Sequence, residues 1–76
     1  MNLILYTKDD CPLCDRLIEL VKPFIGDAVI EKRDITTDED WNELYRYRIP
    51  VLTRDGRIIL EGRPDQAEVE RAFANP

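Results

Sequence analysis

The stretch YTKDDCPLCDRLIELV, residues 6–21, decides how this chain folds. It holds both cysteines, Cys11 and Cys14, spaced C-x-x-C with Pro12 directly after the first. Upstream, Leu3 to Tyr6 read LILY, the short apolar run of a fully buried strand. Downstream, Leu13, Leu17, Leu20, Val21 and Phe24 recur in steps of three and four, which is one face of a helix, and Gly26 stops it. Proline suits the first helical position, where its missing N–H costs nothing. The stretch therefore predicts strand, turn and helix, with Cys11 as the helix N-cap.

That placement carries chemistry. An N-cap side chain accepts from backbone N–H groups two or three residues on, here Leu13 and Cys14. A thiolate at Cys11 would face those donors and the positive end of the helix dipole. Such surroundings lower a thiol pKa from ~8.5 into a range of roughly 3.5–7.5. The thiolate is the attacking species. Cys14 lies one turn on, near enough to bridge to Cys11, and points into the helix. Cys11 is thus expected to attack a substrate disulfide and Cys14 to resolve the mixed disulfide. Lys8 and Arg16 would favour the thiolate, whereas Asp9, Asp10 and Asp15 oppose it; Asp9 and Asp10 are expected to face solvent.

A C-x-x-C pair also reads as half a metal site. Four-coordinate zinc needs two more ligands, and the chain has no histidine and no third cysteine. A zinc or iron–sulfur site would require dimerisation or carboxylates, and no metal is expected. Inert core cysteines, or a redox-sensing module of the same fold without turnover, would also account for the pair.

Working outward, AVIEKRDI (28–35) reads as a second strand, and Thr37 with Asp40 as a capping box for a helix whose face is Trp41, Leu44 and Tyr45. VLTRDGRIIL (51–60) is two strands around the hairpin signal Asp55-Gly56. Pro64 fits the first turn of a last helix with the stripe Val69, Ala72 and Phe73. Trp41, Tyr45 and Tyr47 read as core and rim packing. The order is β-α-β-α-β-β-α, an α/β fold with one mixed four-stranded sheet flanked by helices, in a single domain over residues 1–76.

The formal net charge is −5, from eleven basic and sixteen acidic residues. That disfavours nucleic acid and anionic membrane surfaces as partners. No run is long enough to span a bilayer and no charged-then-apolar leader is seen, so a cytoplasmic monomer is expected.

LILYTKDDCPLC resembles the opening of a glutaredoxin, within the thioredoxin fold, and RIPVLTRDGRIIL (48–60) matches the X-Val-Pro segment and hairpin of that family. The resemblance covers nearly the whole chain. It implies a dithiol–disulfide oxidoreductase with no tightly bound cofactor, glutathione or another thiol reductant serving as co-substrate. Disulfide-containing proteins or small molecules would be the substrates, and glutathione or a thioredoxin-reductase-type donor the electron source. It further implies a cis Ile49–Pro50 bond beside the cysteines, with the Ile49 backbone available to pair with an extended substrate. Lys8 stands where the family's glutathione-carboxylate lysine does, and Asp65 resembles the acid that meets the γ-glutamyl amine. The chain departs from the pattern at three places. Pro12-Leu13 replaces Pro-Tyr, Arg48 replaces the threonine before Val-Pro, and Gly62-Arg63 replaces Gly-Gly. Arg48 and Arg63 are either carboxylate-binding or simply exposed.

Overall fold

The computed structural model describes residues 1–74. Strand β1 (Leu3–Thr7) leads through a tight loop into helix α1 (Pro12–Ile25), followed by β2 (Ile30–Asp34). A short 3-10 turn at Ile35–Thr37 precedes α2 (Glu39–Tyr45); the hairpin β3 (Val51–Arg54) and β4 (Arg57–Glu61) then leads to α3 (Gln66–Ala74). The sheet order is β2-β1-β3-β4, with β1 parallel to β2 and antiparallel to β3. This is the mixed four-stranded sheet that the order of elements predicts, in the thioredoxin-like arrangement that the resemblance implies.

Strand alternation sorts the side chains into two layers. Leu5, Leu52 and Leu60 face α1 and α3, where they join Cys14, Leu17, Val21 and Val69 in one buried cluster. Phe24 of α1 stacks on Phe73 of α3, with ring centroids 5.6 Å apart. The opposite face of β1 carries Tyr6, which packs against Trp41 and Tyr45 of α2 at 5.8 and 4.5 Å. Each large side chain buried in such a layer contributes about 1.5–3 kcal/mol of transfer free energy.

Several local expectations are corrected. The cap of α2 is Asp38, whose carboxylate accepts from the N–H groups of Asp40 and Trp41. Thr37 instead turns its hydroxyl back to the Asp34 carbonyl. Pro64 lies before α3 rather than in its first turn. Asp65 caps that helix in a reciprocal box: its Oδ1 accepts from Glu68 N–H at 2.8 Å, and its own N–H donates to Glu68 Oε1. Leu44 faces solvent rather than sharing the buried side of α2. Tyr47 is 88% exposed, because α2 has already ended, and Arg46 lies over its ring. The second strand is also shorter than AVIEKRDI, since Val29 is exposed and pairing starts at Ile30.

The hairpin turn has the expected form. Asp55 and Gly56 both adopt positive φ, 52° and 86°, as a two-residue turn between right-twisted strands requires.

Candidate redox site

The loop between β1 and α1 reverses the chain at Asp10, whose φ is 56°. Aspartate tolerates this left-handed conformation better than most side chains. The reversal brings Cys11 to the start of α1 as its N-cap, with extended backbone and Pro12 following. Cys11 Sγ accepts from the Cys14 N–H at 3.2 Å. The N–H groups of Cys14 and Asp15 also reach the Cys11 carbonyl, at 3.1 and 3.2 Å. Cys11 and Cys14 are joined as a disulfide, with Cα atoms 5.2 Å apart. Cys11 is half-buried, whereas Cys14 is 2% exposed and packs in the α1 layer of the core. The unequal exposure separates an outer, attackable sulfur from an inner one.

Beside the disulfide lies a depression of about 300 Å³, opening on the β2 side of the sheet. Lys8, Asp9 and Asp10 of the loop, Asp15 and Ile18 of α1, and Lys32 and Asp34 of β2 line it with the two cysteines. Asp9 and Asp10 are exposed, as expected, and so is Lys8. The Asp34 carboxyl is held below the usual carboxylate range, first by the Thr36 hydroxyl and then by the Thr36 N–H. Sequence reasoning missed Lys32, Asp34 and Ile18. Only the parallel register, Leu5 with Lys32 and Thr7 with Asp34, brings β2 to the dithiol.

The other family-like positions gather on the β3–β4 side. Ile49–Pro50 is cis and Pro50 is buried. Tyr6 pairs with Val51, so Pro50 falls at the sheet end from which the cysteine loop departs. The Pro50 carbonyl accepts from Gly62 N–H at 2.8 Å, extending the β3–β4 pairing by one step. Gly62 has φ 69°, and a Cβ there would meet nothing within 4 Å, so the conformation rather than crowding calls for glycine.

The Ile49 backbone is only partly available for strand addition. Its N–H donates to the Tyr45 carbonyl at 3.0 Å, because the end of α2 closes on this segment. Arg48 does bind a carboxylate, but one of this chain: its Nε and Nη2 both reach Glu61 Oε2, at 3.2 and 2.7 Å. The guanidinium also lies over the Tyr45 ring. Arg63 and Leu13 are exposed, as is Pro12. Arg16 donates from Nη1 to the Pro64 carbonyl at 2.7 Å and ties α1 to the start of α3.

The model of the Glutaredoxin-like domain (DUF836) matches residues 2–74. Among solved structures, the X-ray structure of Northeast Structural Genomics target protein XcR50 from X. campestris is similar. It is 30% identical, with a TM-score of 0.75 over 91% of both chains.

Proposed function

Because the chain belongs to the glutaredoxin-like domain family, and joins Cys11 to Cys14 at a helix start, we propose that it is a dithiol–disulfide oxidoreductase. The observation that carries this reading is the N-cap geometry, with Cys11 Sγ on the Cys14 N–H and Cys14 buried behind it.

In the reduced protein the Cys11 thiolate attacks one sulfur of a substrate disulfide. The substrate S–S bond breaks, a Cys11–substrate disulfide forms, and the departing sulfur leaves as a thiolate that takes a proton from water. Cys14 then loses its proton and attacks Cys11 Sγ. The second substrate thiol is released and the Cys11–Cys14 bridge forms. Two electrons have passed from the dithiol to the substrate. Glutathione or another thiol donor returns them. The helix terminus stabilises the Cys11 thiolate each time it is regenerated.

Lys8, Pro12 and Leu13 flank the attacking sulfur on one side. Ile49, Pro50, Gly62, Arg63 and Asp65 offer a second surface for the body of the substrate. Cys11→Ser should abolish disulfide reduction, and undiminished turnover in that variant would overturn the mechanism. Cys14→Ser should accumulate mixed disulfides at Cys11, visible as mass adducts.

A further inference from the structure

Two separate features set the charge that an incoming disulfide meets. The depression beside the cysteines presents four carboxylates, Asp9, Asp10, Asp15 and Asp34, against two ammonium groups, Lys8 and Lys32. Asp9, Asp10 and Asp15 are exposed, and their carboxylates make no hydrogen bond or ion pair among the described residues. On the other flank, Arg48 stands two residues before Pro50, where an arginine would suit an anionic substrate. Glu61 already occupies it through two N–H groups. The acids that repel an anion thus outnumber the cations beside them, while an arginine that would attract one is held by the chain itself.

We propose that the dithiol is selective for disulfides carrying ammonium or guanidinium groups beside the sulfur, and that it discriminates against anionic disulfides. This rests on the oxidoreductase reading and concerns its substrate class. Attack by Cys11 breaks the substrate S–S bond and sends one sulfur away as a thiolate. It departs into surroundings with excess negative charge. A cation on the substrate offsets both the acids and the developing thiolate, and an anion adds to them. Cys14 then closes the bridge to Cys11 and expels the second thiol, so the reduced dithiol supplies both electrons.

The test uses prereduced, desalted protein in single turnover. The probes are cystamine (a dication), bis(2-hydroxyethyl) disulfide (neutral) and 3,3′-dithiodipropionate (a dianion). Each rate is divided by that of an uncharged small thiol with the same disulfide, which removes intrinsic differences in leaving group. The normalised rates should fall in the order dication, neutral, dianion. The dication-to-dianion ratio should be on the order of tenfold or more at low salt and shrink as salt is added. The combined Asp9→Asn, Asp10→Asn and Asp15→Asn variant should bring that ratio towards unity, and Glu61→Gln should raise the dianion rate by releasing Arg48. Because the comparison is between substrates on one variant, any change in thiol reactivity cancels. Peptide disulfides flanked by lysines or by glutamates are measured in the same way. A larger ratio there than among the small disulfides assigns the preference to protein substrates, and a smaller one to small cations. Equal normalised rates, a preference for the dianion, or a ratio unmoved by the asparagine substitutions would overturn the proposal. Failure to react with all three small disulfides would instead sink the oxidoreductase reading.

Discussion

Asp10 joins two demands at one position: it supplies charge beside Cys11 and holds the positive φ that delivers Cys11 to the helix start. A β-branched residue meets neither. Asp10→Val should destabilise the protein by about 1–2 kcal/mol, from the left-handed backbone alone. Asp10→Asn and Asp10→Gly should stay within about 0.5 kcal/mol, as ordinary surface changes do. Urea unfolding reads all three. Asp34 provides the pH-dependent counterpart. Its folded carboxyl is held low by Thr36, so its contribution to stability is present above the ordinary carboxylate range and is lost as pH falls through the depressed folded value. Thr36→Val removes the larger cause and leaves the backbone N–H. The Asp34 titration followed by NMR should then move up towards the ordinary value without fully reaching it. An unmoved midpoint would show that the hydroxyl is not the cause.

At the scale of elements, helix starts show where sequence signals run out. Asp34, Thr36, Thr37 and Asp38 are all residues that cap helices, so composition alone does not choose among them. Hydrogen-bond geometry does: Asp34 takes the 3-10 turn and Asp38 takes α2. Pro64 and Asp65 pose the same ambiguity one residue apart, and Glu68 resolves it by closing a box on Asp65. The helices themselves were legible, because apolar faces that recur along α1 and α3, helices of 14 and 9 residues, outlast any uncertainty at their ends. The cap assignment lets two roles of Asp65 be separated. Asp65→Ala should cost about 0.5–2 kcal/mol by freeing the start of α3. Asp65→Asn keeps a capping oxygen and should cost little. If the carboxylate also meets an ammonium group of glutathione, Asp65→Asn should raise the KM for a glutathione disulfide while urea unfolding stays the same. If capping is its whole role, neither changes.

Across the whole molecule, the limit of sequence reading is register and long separation. The parallel pairing of Leu5 with Lys32 sets which charges of β2 overlook the cysteines, and a one-residue slip would send Lys32 to the α2 face. The Arg48–Glu61 pair spans 13 residues, and Arg16 reaches a carbonyl 48 residues away. Neither has a local signature. The dithiol was legible because its logic is local: strand, turn, cysteine, proline and helix lie within one stretch. That locality also predicts how the disulfide bears on global stability. The bridge closes a loop with a sequence separation of only three, so the unfolded chain loses little freedom through it. The chain-entropy relation gives about 2 kcal/mol for a loop this short. Reduction also restores a Cys11 thiolate, a better acceptor at the helix N-terminus than the bridged sulfur, which offsets part of that loss. Reduced protein should therefore remain folded, with an unfolding free energy lower by about 2 kcal/mol or less. By contrast, Leu17→Ala, one turn behind Cys14 in the α1 core, should cost about 2–5 kcal/mol in either redox state. Urea unfolding with and without dithiothreitol compares the two. A bridge that cycles during turnover must be dispensable to the fold. If reduction cost as much as the core cavity, the disulfide would be a structural staple, and each turn of the proposed cycle would pass through a much less stable reduced protein.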